Sequence, residues 1–251
     1  MLSVEKVTRR FGGTRAVDGV SLTVAAGSIT GLIGPNGAGK TTLFNLIAGS
    51  LRPSSGRILL DGAAIGDEPA HRRLARGLAR TFQIPRPFPA MTVLENVLVA
   101  AQHQRGERPF ANWLVGRAVA RQERALVDKA RGIIEFVALT RLLGSPAGTL
   151  SGGQRKLLEL ARVLMAEPRI ILLDEPAAGV NPALLEVIIE RISVLNGRGM
   201  TFLLVEHDLD MVARLCGRVH VMAAGQLLAS GTPAEVTADP RVVEAYLGGA
   251  A

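Results

Sequence analysis

The chain has 251 residues, 48% apolar and 20% charged, enough to bury a core as one large domain or one with a subdomain. Aromatics make up only 4% and there is a single cysteine, Cys216. These values argue against stacking platforms for single-stranded nucleic acid, an intramolecular disulfide and a multi-cysteine metal site. The net charge is +7, with basic residues dispersed through Arg72, Arg73, Arg76, Arg80, Arg117, Arg121 and Arg124, which suits polyanionic nucleotides and anionic lipid better than a nucleic-acid footprint.

The N-terminal MLSVEKVTRRF has no apolar h-region, and no apolar run reaches the roughly 18 residues that span a bilayer. The expectation is a soluble chain, or one that sits on a membrane by docking to something else. Leu2, Val4 and Val7, then Val20, Leu22 and Val24, alternate with polar residues across a glycine turn at Gly12–Gly13, which predicts strands in a hairpin. The apolar run Ser28–Gly34 predicts a buried strand, followed by a glycine loop and a helix that stops at Gly49. A strand is predicted over Gly56–Gly62, a helix from about Pro69 to Arg76, and a strand over Leu78–Gln83. Prolines at 85, 87 and 89 then break the pattern. From Thr92 to Ala166 the periods are helical only, with loops near Gly106–Pro109 and Gly144–Gly148, and Thr92 and Glu95 are spaced as a capping box. Strand-then-helix recurs at Arg169–Pro176, with a helix from Pro182, and again at Met200–Asp208. Two short strands, Arg218–Met222 and Gln226–Ala229, and two short helical pieces close the chain. The alternation argues for an α/β fold on a parallel sheet, with an antiparallel piece in front and a helical insertion in the middle.

Three motifs carry chemistry. Gly34, Pro35, Asn36, Gly37, Ala38, Gly39, Lys40 and Thr41 fit GxxxxGK[ST] between a strand and a helix, with Thr42 next in line. Glycines let backbone N–H groups curl around phosphates, and the helix N-terminus adds its positive end. Lys40 is placed to reach the β- and γ-phosphates, and the Thr41 hydroxyl to ligate Mg²⁺. In IILLDE, Asp174 and Glu175 stand at the exit of a buried strand. Asp174 suits Mg²⁺, and Glu175 suits polarisation of the attacking water. In LSGGQ, Ser151 is a helix N-cap, and Gly152 and Gly153 are expected to leave N–H groups exposed beside Gln154. That makes a second anion site in the helical insertion.

Walker A, LSGGQ and Walker B in this order resemble the ATP-binding-cassette (ABC) ATPase family over essentially the whole chain. The resemblance implies one cassette over 1–251: a P-loop NTPase core with parallel sheet, an N-terminal antiparallel β subdomain, and an inserted helical subdomain at 84–167 carrying the signature. It implies that Ser151, Gly152, Gly153 and Gln154 of one subunit cap ATP held by the other subunit's P-loop, in a head-to-tail dimer. Gln83 matches the Q-loop glutamine that contacts Mg²⁺ and the γ-phosphate side. His207 matches the switch histidine beside Glu175, and Phe11 the aromatic that stacks on adenine. The family's D-loop aspartate is replaced by Asn181, which implies a weaker or differently tuned cross-subunit contact.

RTFQ with its proline-rich turn (Arg80–Pro89), MTVLENVLVA (Met91–Ala100), DEPAAGVNP (Asp174–Pro182) and an ending at 231–251 resemble the ATP-binding subunits of bacterial branched-chain amino-acid importers. That implies transmembrane permease subunits docking near Gln83–Met91, a second ATPase that is identical or a paralogue, and a periplasmic binding protein engaged only indirectly. The chain would then work at the cytoplasmic face of the membrane. The stretch Phe110–Val115 reads as the core of a helical hairpin or as an apolar patch near that membrane. Other cargoes (urea or short amides, or lipopolysaccharide export) stay open, as does a soluble ABC ATPase acting on nucleic acid or ribosomes. The single cassette and the lack of sustained heptads argue against the last. A non-hydrolysing ATP sensor would lack Glu175 or Lys40, and both are present.

Overall fold

A computed structural model of the chain describes residues 1–82, 85–102, 104 and 116–247. Their contacts define two compact units: Met1–Arg80 with Pro168–Ala178 and Ile192–Ala251, and Thr81–Glu167 with Gly179–Arg191.

The first unit holds two sheets. Strands β1 (Leu2–Phe11) and β2 (Thr14–Val24) pair antiparallel across the Gly12–Gly13 turn. With β4 (Ser55–Leu60) and β5 (Ala63–Ala64) they form a sheet in the order β2-β1-β4-β5. The second sheet contains β3 (Ile29–Ile33), β6 (Leu78–Arg80), β7 (Ile170–Asp174), β8 (Thr201–Val205), β9 (Arg218–Ala223) and β10 (Gln226–Gly231). Its order is β10-β9-β3-β8-β7-β6, parallel except for the β9–β10 pair at one edge. Every residue of β3, β7 and β8 is buried, which is why these strands read as unbroken apolar runs instead of alternating ones. Register aligns Val205 with both Leu32 and Asp174, so β3, β7 and β8 end at one edge of the sheet. Ligands of open α/β sheets bind at that carboxyl edge.

Helix α1 (Lys40–Ala48) follows β3 and buries Leu43, Phe44, Leu46 and Ile47 in the same core as Leu32, Leu172 and Leu203. The short helix α2 (Ala70–Ala75) carries Arg73, which is fully buried. Its guanidinium donates to the carbonyls of Leu46 and Ile47 at 2.6 Å, Glu68 at 2.8 Å and Gly66 at 3.0 Å. The first two are among the last carbonyls of α1, which have no partner within the helix. Burial pushes the Arg73 pKa down, an effect opposed by the charges of Glu68 and Asp67.

The second unit is helical: α3 (Val93–Leu98), α4 (Gly116–Phe136), 3₁₀ turns at Thr140–Leu142 and Ala147–Thr149, and α5 (Gly152–Met165). The Thr92–Glu95 capping box forms, with Thr92 N–H donating to Glu95 Oε2 at 2.7 Å and Glu95 N–H to Thr92 Oγ1 at 3.2 Å. Buried Asn96 stitches the proline turn by accepting from Phe88 N–H at 2.8 Å and donating to the carbonyls of Phe88, Met91 and Thr92.

Helix α6 (Pro182–Gly197) starts at its expected proline. The first unit also contains α7 (Leu209–Leu215), α8 (Pro233–Ala238) and α9 (Pro240–Leu247). One expectation is corrected. The strand predicted to reach Gln83 ends at Arg80, because Phe82 N–H leaves the ladder and donates to Glu159 Oε1 at 2.7 Å. Within the loop expected near Gly144–Gly148, Pro146 forms an isolated antiparallel bridge with Thr92. Gln83 itself, the loop expected near Gly106–Pro109 and Phe110–Val115 lie outside the described residues. Among the described residues no helix is long and apolar enough to cross a membrane.

Candidate nucleotide site

The phosphate loop links β3 to α1. Gly34 has φ +146°, and a Cβ there would lie 2.1 Å from the Met222 carbonyl oxygen. Gly39, the residue before α1, has φ +94°, and its Cβ would lie 2.3 Å from the Ala16 carbonyl oxygen. Strand and hairpin backbone therefore press on the loop at both ends, and only glycine fits. Asn36, Gly37 and Thr41 are exposed, Pro35, Gly39 and Thr42 half-buried, and Gly34, Ala38 and Lys40 buried. No side chain caps α1 at its N-terminus, and its first turn has no acidic residue. Its leading amides are thus not taken up by side chains, at the positive end of the helix.

Lys40 Nζ donates to the carbonyls of Gly34 at 2.6 Å and Pro35 at 2.9 Å. Burial pushes its pKa down, and the negative charge of Glu175 opposes that. Asp174 is buried at the end of β7, with the Arg80 guanidinium 3.8 Å away. Arg80 also donates to Asn45 Oδ1 at 2.8 Å and Ser50 Oγ at 3.1 Å, and lies over the Phe44 ring at 5.2 Å. It therefore ties the Walker B carboxylate to the phosphate-loop helix. As donors, the Thr41 hydroxyl and the Asp174 carboxylate are hard oxygens that fit Mg²⁺, an ion that keeps waters and takes substrate phosphates.

Glu175 follows with φ +46°, in the left-handed region that costs a non-glycine residue about 1–3 kcal/mol. Its N–H donates to the Val205 carbonyl at 2.9 Å, anchoring the turn to β8. Its Oε1 lies 2.7 Å from His207 Nε2, so the two side chains marked out by the sequence meet directly. Phe11 ends β1 with 46% of its surface exposed, so it is not spent on hairpin packing, and the Arg9 guanidinium stands 4.7 Å from its ring. Burial raises the pKa of Tyr246 in α9, and a hydrogen bond with the Gly34 backbone partly offsets it, placing the C-terminal helix against the start of the phosphate loop.

The signature turn belongs to the second unit. Ser151 caps α5, with Gln154 N–H donating to Ser151 Oγ at 3.3 Å and Ser151 N–H to Gln154 Oε1 at 2.9 Å. Gly152 is exposed, but Gly153 is buried, against expectation. A Cβ there would meet Leu184 Cδ1 at 2.7 Å, so Gly153 is needed for close packing against the start of α6. Asn181 caps that helix, its Oδ1 accepting from Leu184 N–H at 2.9 Å. Two buried residues, Arg73 and Glu206, have no motif to announce them: each bonds backbone groups distant in sequence, Leu46 and Ile47 for Arg73 and Ala177 for Glu206, and no local pattern signals that.

Residues 17–178 match the ABC transporter family. The chain belongs to that family. As an ABC cassette it binds and hydrolyses ATP. Residues 226–251 match a second family description, the branched-chain amino acid ATP-binding cassette transporter. The cassette is 43% identical to a probable branched-chain amino acid transport ATP-binding protein LivG of Archaeoglobus fulgidus, over 99% of this chain and 95% of that protein. It is 42% identical to the high-affinity branched-chain amino acid transport ATP-binding protein BraF of Pseudomonas aeruginosa, over 99% and 98%. Among solved structures, the ADP conformation of an ATP-binding cassette of an ABC transporter superposes with a TM-score of 0.85 at 39% identity, covering 99% of this chain and 98% of that one.

Proposed function

We propose that this chain is the ATP-hydrolysing subunit of an importer for branched-chain amino acids, working at the cytoplasmic face of the membrane beneath permease subunits. The observation that carries the chemistry is the 2.7 Å contact between Glu175 and His207, at the sheet edge where the phosphate loop also begins. The cargo assignment is supported by full-length similarity to LivG and BraF and by the C-terminal match at 226–251.

In this reading the amides of Gly34–Thr42 and the Lys40 ammonium hold the phosphates. Lys40 exchanges its two loop carbonyls for phosphate oxygens when ATP enters. Thr41 and Asp174 would hold Mg²⁺, which when bound would neutralise phosphate charge. Glu175 orients and polarises the attacking water, and His207 fixes the Glu175 carboxylate and faces the γ-phosphate. Phe11 stacks on the adenine. Ser151, Gly152, Gly153 and Gln154 of a second subunit close over the nucleotide, so binding drives two cassettes together. Phe88 and Met91, 45% and 38% exposed on the Asn96-braced turn, offer apolar anchors to a permease.

The test is reconstitution in liposomes with the membrane subunits and binding protein. ATP hydrolysis rises when leucine, isoleucine or valine is supplied. If no hydrophobic amino acid stimulates turnover, the cargo assignment is wrong.

A further inference from the structure

Glu206 stands between Val205 and His207 and has no part in the chemistry described so far. It is only 2% exposed, and a carboxylate that deep must be satisfied by hydrogen bonds. Its two oxygens are divided between two loops. Oε1 accepts from Ala177 N–H at 2.6 Å, in the turn that follows Walker B. Oε2 accepts from His207 N–H at 2.8 Å and Asp208 N–H at 3.3 Å, in the loop that carries the histidine. The Ala177 turn is the one closed by Ala178 N–H on the Glu175 carbonyl at 3.1 Å, and it begins at Glu175, whose φ is positive.

We infer that Glu206 is a positioning residue for hydrolysis: its carboxylate staples the Glu175–Ala178 turn to the His207 loop and so sets the Glu175–His207 distance. This rests on the reading of Glu175 and His207 as the hydrolytic pair. The chemistry of the side chain explains the choice of residue. Backbone N–H bonds to a carboxylate are charge-assisted and strong. Glutamine has the same shape but one acceptor oxygen, so its NH₂ group would face an N–H donor and release one loop. Aspartate keeps both acceptors but is one methylene too short to span both loops unchanged. The staple also explains why a carboxylate is kept at a buried position between these two loops.

The experiment uses the full-length protein and compares Glu206→Gln with wild type in the backgrounds of His207 and His207→Ala. A misplaced catalytic group lowers kcat on the order of tenfold to a hundredfold, and that is the expected loss, with KM for ATP and the affinity for a fluorescent ATP analogue unchanged. The discriminating readout is coupling. In the His207→Ala background Glu206→Gln changes kcat no further, because groups acting as a unit are not additive. An unchanged kcat, or a loss that multiplies in full with that of His207→Ala, overturns the inference. Should Glu206→Gln fail to fold, Glu206→Asp carries the same cycle, with a smaller kcat loss that His207→Ala again cancels. If Glu175→Gln and His207→Ala themselves leave turnover intact, the reading of the pair has failed instead.

Discussion

Two loops in this chain run through glycine into a helix, and their helix ends are finished in opposite ways. At the phosphate loop, α1 begins with no side-chain cap and no acidic residue in its first turn. At the signature turn, α5 begins with a complete capping box from Ser151 and Gln154. The other end of α1 is closed twice: Gly49 N–H donates to the carbonyls of Asn45 and Leu46, and Arg73 covers those of Leu46 and Ile47. An uncapped N-terminus keeps its partial positive charge for an anion, whereas a capped one is self-sufficient and presents chiefly its serine and its remaining amides. The contrast supports the proposal that one loop binds on its own and the other completes a site already occupied.

The largest effect should separate these roles. Lys40→Ala lowers turnover about 10²–10³-fold, as loss of a preorganised cation does, and weakens nucleotide binding to the isolated subunit. Ser151→Ala leaves that binding intact and reduces only turnover. Binding titrations and steady-state rates on both variants sharpen the comparison, and equal loss of binding in the two would break it.

Next in size is Arg73→Ala, which leaves the Ile47 carbonyl of α1 without its donor in a buried space and the Leu46 carbonyl with Gly49 N–H alone. Each unsatisfied buried group costs roughly 1–3 kcal/mol, so denaturant melts should show a midpoint shift large for a single residue. Smaller, and different in kind at the two loops, are the glycine substitutions. Gly39→Ala forces a Cβ onto the backbone oxygen of Ala16 at a φ of +94°. It should cost about 1–3 kcal/mol and distort the phosphate loop. Gly153→Ala crowds Leu184 and Val180 and disturbs the packing under the signature turn without touching the phosphate loop, so it keeps nucleotide binding and loses turnover. The smallest stability effect is Ser151→Ala itself, about 1 kcal/mol for one lost cap, read as a modest drop in melting midpoint.

Much of the fold was legible because its signals are local. Fully buried strands appear as apolar runs, the strands bracketing Gly12–Gly13 alternate, and Thr92 and Ser151 stand three residues before the partner that completes each box. What escaped the sequence depends on distance. Arg73 looked like one of many dispersed basic residues, and its burial against carbonyls of α1 follows only from tertiary packing. Glu206 is adjacent to His207, yet its purpose depends on Ala177, 29 residues earlier. The cap that Asn181 places on α6 through Leu184 N–H depends on where the helix starts. Gly153 was read as a bare amide, because a sequence does not show that Leu184 will sit where its Cβ would be.

The proposal that one subunit's phosphate loop is completed by another's serine-led turn is tested most directly by mixing two silent proteins, Lys40→Ala and Ser151→Phe. In their mixed dimer one seam has both parts intact, so ATP hydrolysis should reappear above that of either protein alone. If Ser151→Phe by itself turns over ATP at the wild-type rate, the second subunit contributes nothing and the account is contradicted.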